Sequence, residues 1–481
     1  MEPHGRSKRH GLPRRLGALR RPWRSRSTAA GLAGRFGSRP GVRRFVRGVR
    51  RIAGHLWRPG TSRPRRRTVL GASAAATLLL LALVVAPEEG AERAAGCGGL
   101  RVGAWQRDSA MTDEFTRYGN DNARLDDWTG GDGTRSVRLP DGRTLWMSAD
   151  TFLDEVRGGV SRAPNAVWVR NSGLVMSPEG RIERTLLGGT ETNPTALFPG
   201  TSTEDGREVW RWPTQAVVEP RAPGSSERVV RVVLWQREAG HPPWVFGVPR
   251  ATEVATLSLP DLEVESVRTV DEPRHPQFDR RVLYGTSAVR VGRWTYVFGA
   301  DEGSVNGSAS RAHVARAPVG RLAERSEWRY WAGAERGWQR TASRSRPVLV
   351  GEEWQRGATG TYSVVRSGDS WLLLTMDAGG PDGTGLSDVT TYWSCAPTGP
   401  WKGPTTAVRP PLPPGGAEAG ALPYNPQGHV EFGSGEPGGG GRLLLGYDVN
   451  VLNSPQAIHE NVSLYRPRFL RLELERVNAP E

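Results

Sequence analysis

Hydrophobic and polar positions alternate through residues 130–153, GGDGTRSVRLPDGRTLWMSADTFL, in two runs on either side of Asp141-Gly142. Alternation of period two marks a half-buried strand, and an Asp-Gly pair between two such runs marks a tight turn. The stretch therefore predicts one β-hairpin whose two ends bring Asp132 and Asp150 together. The pattern recurs: GTRSVRL from Gly133 matches GTSAVRV from Gly285 and GTYSVVR from Gly360. The returning runs LWMSAD, YVFGAD, LLLTMD and LLLGYD close at Asp150, Asp301, Asp377 and Asp448.

Successive acids are 151, 76 and 71 residues apart, so the first gap spans two periods. A diverged copy lies inside it, PTQAVVE from Pro213 followed by VLWQRE ending at Glu238, and another copy begins with PQGHVEF from Pro426. Repeats of about 70 to 75 residues, all-β with turn signals between short strands, predict an all-β, five-bladed β-propeller over residues 98–481. Residues 98–127 are expected to supply an outer strand that closes the ring, with YGNDNARLDD a loop near the mouth. SLYRPRFLRLELERV is expected to form a final strand pair.

Charge changes the picture only once it is located. The formal net charge is +15, yet residues 1–67 hold Lys8, twenty arginines and a single acid, Glu2, so the rest of the chain is mildly acidic. Lys8 and Lys402 are the only lysines, which makes part of the arginine excess a matter of codon usage. Residues 68–86, TVLGASAAATLLLLALVVA, are uncharged and close to the roughly 20 residues that cross a bilayer core. The basic flank before them orients residues 1–67 to the cytoplasm and the propeller outside. The expected organisation is an Arg-rich tail (1–67), a single transmembrane helix or signal-anchor (68–86), a linker (87–97) and the propeller.

Arg66-Arg67-Thr68-Val69-Leu70 also resembles a twin-arginine export signal, and secretion by that route is the alternative to a retained anchor. Within the tail, apolar residues at helical spacing over residues 42–57, with arginines between them, form a basic amphipathic stretch suited to anionic lipid. A solvated tail is the other reading of it, and a charge run alone does not argue for nucleic acid. The two cysteines, Cys97 and Cys395, both fall on the exported side and are expected to pair.

TGGDGTRSVRLPDGRTLWMSADTF, YNPQGHVEF, LLLGYDVN and LYRPRF together resemble a large secreted family of five-bladed propellers catalogued as a domain of unknown function. The resemblance covers about residues 128–474. The wider group includes glycoside hydrolases that cleave furanose polymers, notably endo-acting D-arabinanases, so the resemblance implies a carbohydrate partner, with arabinan as one candidate.

In a propeller the hairpin ends gather at one mouth. The acid repeated in every blade is explained most simply by what every blade needs, a carboxylate accepting backbone N–H groups. The residues that precede the inner strands differ: Asp132, Trp212, Tyr284, Thr359 and Asn425. Only Asp132 is acidic, and a non-repeated acid is not explained by blade architecture. Glycoside hydrolysis needs two carboxyl groups, one donating a proton and one acting as base or nucleophile. Asp132 is the candidate base or nucleophile, with Asp150 as partner. Gln215, Asp301, Tyr362, Asp377, His429, Asp448 and Asn450 are candidates for holding substrate.

No zinc-type cluster, nucleophile elbow, P-loop or dinucleotide fingerprint occurs, so no metal or other cofactor is expected. The expected function is a membrane-anchored extracellular glycoside hydrolase-like propeller, monomeric, acting on envelope or environmental polysaccharide. The alternative is a non-catalytic propeller that binds carbohydrate or another surface.

Overall fold

The computed structural model describes residues 97–123, 128–242, 244, 246–303, 310–351, 357–377, 387–435 and 441–477. The Arg-rich tail, the basic stretch 42–57, the apolar run 68–86 and almost all of the linker lie outside them. Among the described residues no helix is long and apolar enough to cross a membrane.

Five antiparallel sheets follow one another in chain order. Sheet one comprises Arg135–Arg138, Thr144–Ser148, Ser172–Met176 and Ile182–Leu186; sheets two and three have five strands each, and sheets four and five have four. In sheets one to four the chain meanders outward, each strand pairing with the next. The second strand of each repeat is apolar through its middle because both of its faces are covered: Thr144–Ser148 and Ser370–Met376 are buried throughout. Outer strands such as Lys402–Val408 face solvent and are polar.

Period-two alternation sends neighbouring residues of a central strand into different interfaces. Leu145 and Met147 pack with Ala216 and Val232 of sheet two, whereas Trp146 between them packs with Leu444 and Phe469 of sheet five. Val233 meets Tyr284 and Val297 of sheet three, Phe298 meets Val364 and Leu373 of sheet four, and Leu372 and Leu374 meet Leu443 and Leu445 of sheet five. Each core is thus shared by two consecutive sheets, and the last joins sheet five to sheet one. The result is a closed propeller.

Hydrogen bonds near the axis run the same circuit. Arg135 Nε donates to Thr214 O at 2.8 Å, Trp235 Nε1 to Tyr284 O at 2.9 Å, Thr286 Oγ1 to Tyr362 O at 2.9 Å, and Gly428 N to Ser363 Oγ at 3.0 Å. Gly133 N closes the circuit by donating to Asp448 Oδ2 at 2.7 Å.

The expected closing strand is Gly99–Arg107, which pairs antiparallel with Arg468–Val477 on the outside of sheet five, from Gly99 opposite Val477 to Arg107 opposite Leu470. The expected final strand pair is corrected accordingly. Residues 463–477 supply one strand behind a 3-10 turn, Val462–Tyr465, and the partner comes from the start of the domain because an outer edge is otherwise left unpaired. Cys97, just before that closing strand, is disulfide-bonded to Cys395 beside sheet four, with Cα atoms 5.6 Å apart.

A helix that the alternation did not predict, Ser109–Gly119, follows the closing strand. Asp108 caps it by accepting Met111 N at 3.0 Å. Its Phe115 fills the core between sheets five and one, against Trp128, Trp146 and Phe469. Tyr118 and Gly119, assigned to a loop by the sequence, end this helix; residues 124–127 lie outside the description.

Because the disulfide ties the closing strand to a sheet that is not its pairing partner, its removal acts on ring closure. Cys97→Ser with Cys395→Ser is expected to lower stability by about 2–4 kcal/mol, read from denaturant unfolding. In the unreduced native protein neither thiol should react with an alkylating agent.

Candidate functional site

The hairpin of sheet one keeps a single register from its turn to its ends. Arg135 pairs with Met147 in one ladder and Gly131 with Thr151 in another, which sets Asp132 opposite Asp150. Ala149 N donates to Asp132 O at 2.7 Å and Asp132 N to Asp150 O at 3.3 Å. Gly133 is left-handed at φ +65, and a Cβ there would lie 2.9 Å from Ala149 Cβ, so the position admits only glycine without movement. In sheets two, three and five the register slips at the equivalent place, between Pro213 and Gln215, Tyr284 and Ser287, and Tyr424 and Gln427. Such bulges re-aim the residues at a strand's end.

These ends surround a cavity of about 360 Å³. Sheet one contributes Asp132 and Arg135, sheet two Trp212, Trp235 and Arg237, sheet three Asp301 and Glu302, sheet four Thr359 and Thr361, and sheet five Tyr424, Asn425 and Asn450. Phe246, Leu422 and Leu452 form an apolar rim that is partly exposed.

Asp132 is the centre of a cluster. Its Oδ2 accepts the Tyr424 hydroxyl at 2.7 Å, and the Tyr465 hydroxyl is a second phenolic partner. Asp448 underlies it, accepting from Gly133 N, from Thr134 Oγ1 at 3.1 Å and from Asn425 Nδ2 at 3.0 Å. Burial, and then the carboxylates of Asp150 and Asp448, push the Asp132 pKa well above the usual range against the two phenols. Burial also raises Asp150, to about 6, although Arg170 and the Trp212 indole oppose it. Arg135 supplies the positive charge beneath, and its own burial lowers its pKa to about 10. Asp132 is therefore the carboxyl whose surroundings favour its protonated form most strongly, while Asp150 titrates at about 6. The sequence showed Asp132 as an isolated acid and not how many carboxylates share its surroundings.

The remaining candidates separate by what their side chains touch. Asp301 and Asn450 line the cavity with Asp132. Asp150 stands behind the wall, with Oδ1 accepting Trp212 Nε1 at 2.8 Å and Oδ2 3.5 Å from Arg170. Asp377 accepts from Ser387 N at 3.0 Å and closes its own loop, while the preceding Met376 faces the cavity. Gln215 folds onto Ala216 N. Tyr362, fully buried, donates to Gly299 O at 2.8 Å. His429, 2% exposed, lies against Trp146 and beside Ser136 Oγ. Tyr362 and His429 are thus corrected from sugar-holding groups to interior ones, since their side chains are buried between sheets, whereas Gln215 is half-buried with its side-chain oxygen on the backbone of its neighbour. Among the described residues no group of three or more His, Cys, Asp or Glu side chains is arranged to hold a metal ion.

Sequence reasoning missed Tyr424, Tyr465, Arg237 and Glu302. The two tyrosines stand in the YNPQ and LYRP motifs, and both motifs converge on Asp132. Glu302 was detectable: Thr151, Ala239, Ala378 and Val449 follow the other repeated acids, so Glu302 is a non-repeated acid like Asp132. Arg237, buried beside Trp212 and Trp235, donates to the Glu302 carboxylate and to Gly247 O at 3.0 Å, fixing Glu302 on the wall.

The chain belongs to the family described as a domain of unknown function (DUF5005), which matches residues 113–474. No curated protein matches it in sequence. Among solved structures it is similar to a protein from Bacteroides ovatus provisionally assigned as a hydrolase, with 16% identity and a TM-score of 0.55 over 76% of this chain and 90% of that one. Similar structures also include the GH43_1 enzyme from Xanthomonas citri complexed with xylose, at 11% identity and a TM-score of 0.39 over 75% of this chain and 92% of that one. A third is the alpha-L-arabinanase of Cellvibrio cellulosa complexed with arabinohexaose, at 9% identity and a TM-score of 0.31 over 57% of this chain and 76% of that one. At these identities the likeness is one of fold.

The Asp150 pKa carries a prediction about stability. Its folded value, about 6, lies above the ordinary 3.8, so the folded protein binds this proton more tightly than the unfolded chain. That contribution is fully present below about pH 3.8 and is lost as pH rises through about 6. Asp150→Asn is expected to flatten the fall in unfolding free energy between pH 4 and 7 by roughly 2 kcal/mol, measured by urea denaturation against wild type.

Proposed function

We propose that this protein is a five-bladed propeller of glycoside hydrolase type, anchored through residues 68–86 with its propeller outside the cell, acting on an envelope or environmental polysaccharide. The observation that carries the reading is Asp132. It is an acid on the wall of a cavity shared by all five sheets, its burial and neighbouring carboxylates raise its proton affinity, and three separate chain motifs converge on it. A protonated carboxyl can donate to a departing glycosidic oxygen. The sheet-three wall offers the second group, Glu302, held by Arg237. Asp150, turned away from the cavity, then serves by its charge in setting the proton affinity of Asp132. Trp212 and the apolar rim suit the apolar face of a sugar ring, and Thr359, Thr361, Asn425 and Asn450 suit its hydroxyls. Arabinan is the first polymer to try, on family resemblance.

A binding module without catalysis is the second reading. It is favoured by the engagement of Asp301, Asp377 and Asp448 in hydrogen bonds from backbone N–H groups, which makes most of the repeated acids architectural. The monomer and the basic stretch 42–57 on anionic lipid complete the proposal.

Release of new reducing ends from arabinan, xylan, galactan and pectin by the detergent-solubilised full-length protein separates the two readings. Asp132→Asn and Glu302→Gln should each reduce hydrolysis about 10²–10⁴-fold with little change in melting temperature. Full activity in Asp132→Asn overturns its assignment, and absence of cleavage by wild type on every polymer favours the binding module. Deletion of residues 68–86 should move the protein out of the membrane fraction.

A further inference from the structure

The mouth cavity shares Asp301 with a second cavity of about 640 Å³. This one opens where the connection from sheet two to sheet three, residues 272–282, meets the connection that leaves the outer strands of sheet three, residues 340–347. Six arginines line it: Arg274, Arg280, Arg311, Arg325, Arg340 and Arg346. Three carboxylates do so as well, and each is already engaged. Asp301 accepts from Gly303 N and Arg311 N and pairs with the Arg311 guanidinium. Glu272 lies 3.4 Å from Arg274 and 3.3 Å from Arg325. Asp271 accepts the Tyr330 hydroxyl at 3.2 Å. Among the described residues no carboxylate pairs with Arg280, Arg340 or Arg346.

The floor is polar and uncharged. The Tyr284 hydroxyl donates to Ser345 Oγ at 2.9 Å, and the same oxygen is 2.9 Å from His313 Nδ1. Burial and the nearby Arg311 push the His313 pKa down to about 3, so this imidazole adds no charge. Arginine is abundant throughout the chain, and elsewhere many of its guanidinium groups are matched by acids, as Arg221 is by Glu227 and Glu265. Here it is in excess on a concave wall, where charges of one sign reinforce one another's potential. Guanidinium groups also present paired donors that fit the two oxygens of a carboxylate or phosphate.

Resting on the reading of the mouth as a glycan site, we infer that the second cavity is an oxyanion subsite, so that the polymer carries a carboxylate or phosphate on a sugar flanking the one held at Asp132. The shared Asp301 makes the two cavities neighbours. The arginines recognise the charge and outnumber the three engaged carboxylates of the lining, and the floor of Tyr284, Ser345 and His313 adds no negative charge.

The test is calorimetric titration of the full-length protein with trigalacturonate, a phosphorylated trisaccharide and neutral arabinotriose, compared with Arg340→Gln/Arg346→Gln. The arginine-rich tail is identical in both proteins, so the difference between them reports the cavity. The double variant should bind one of the charged sugars about tenfold more weakly and arabinotriose equally well. The sugar that shows the loss distinguishes carboxylate from phosphate. Arg280→Gln, on the opposing connection, should show a loss in the same direction, which keeps the test open if the double variant misfolds. Equal affinity of wild type and variants for both charged sugars overturns the subsite, as does failure of wild type to bind either. Cavity-dependent binding without cleavage of any polymer would remove hydrolysis and leave the subsite standing.

Discussion

Every central strand in this propeller has to satisfy two cores at once. Trp146 packs toward sheet five while Leu145 and Met147 on either side pack toward sheet two. A strand covered on both faces has no position at which a charge is cheaply tolerated, which accounts for runs such as LLLTM and LLLGY. It also means that no sheet has a complete core alone. Sheets one and five, far apart in sequence, must meet for either to be buried, and the strand Gly99–Arg107 with the Cys97–Cys395 bond secures that meeting.

The same closure concentrates acids. Asp132 and Asp150 arrive from the first hairpin and Asp448 from the last, and their desolvation is offset by Arg135, Arg170, two phenols and the backbone N–H of Gly133. A cluster of this kind cannot be fully ionised in a dry site, so proton affinities are forced upward. The raised proton affinity of Asp132 follows from the ring geometry as much as from the residue.

The repeated acid shows how one template position diverges once the copies occupy different neighbourhoods. Asp301 and Asp377 close their own loops, Asp448 ties sheet five to sheet one, Asp150 ties sheet one to sheet two through Trp212, and Glu238 pairs with Arg207 and Arg250. The acids that break the repeat, Asp132 and Glu302, both face the cavity. Departures from the template are therefore better guides to the site than the template itself.

The alternation and spacing of apolar runs by themselves determined the all-β class, the hairpin at Asp141-Gly142, the repeat boundaries and the candidacy of Asp132, because a strand's period and a turn's chemistry are local properties. The pairing of the two cysteines was legible for a similar reason, there being no other partner for either. The helix Ser109–Gly119 was not legible, since its stability comes from Phe115 entering a core made by distant strands. Nor was the depth of a residue along the inner strand: Tyr362 and His429 read as polar mouth groups, and only the register with neighbouring sheets put them in the interior. The convergence of Tyr424, Tyr465 and Asp448 on Asp132 depended on closing the ring, and the meeting of Glu302 with Arg237 on the packing of sheet two against sheet three. Contacts between residues some 300 positions apart are set by how whole sheets pack, which no local pattern encodes.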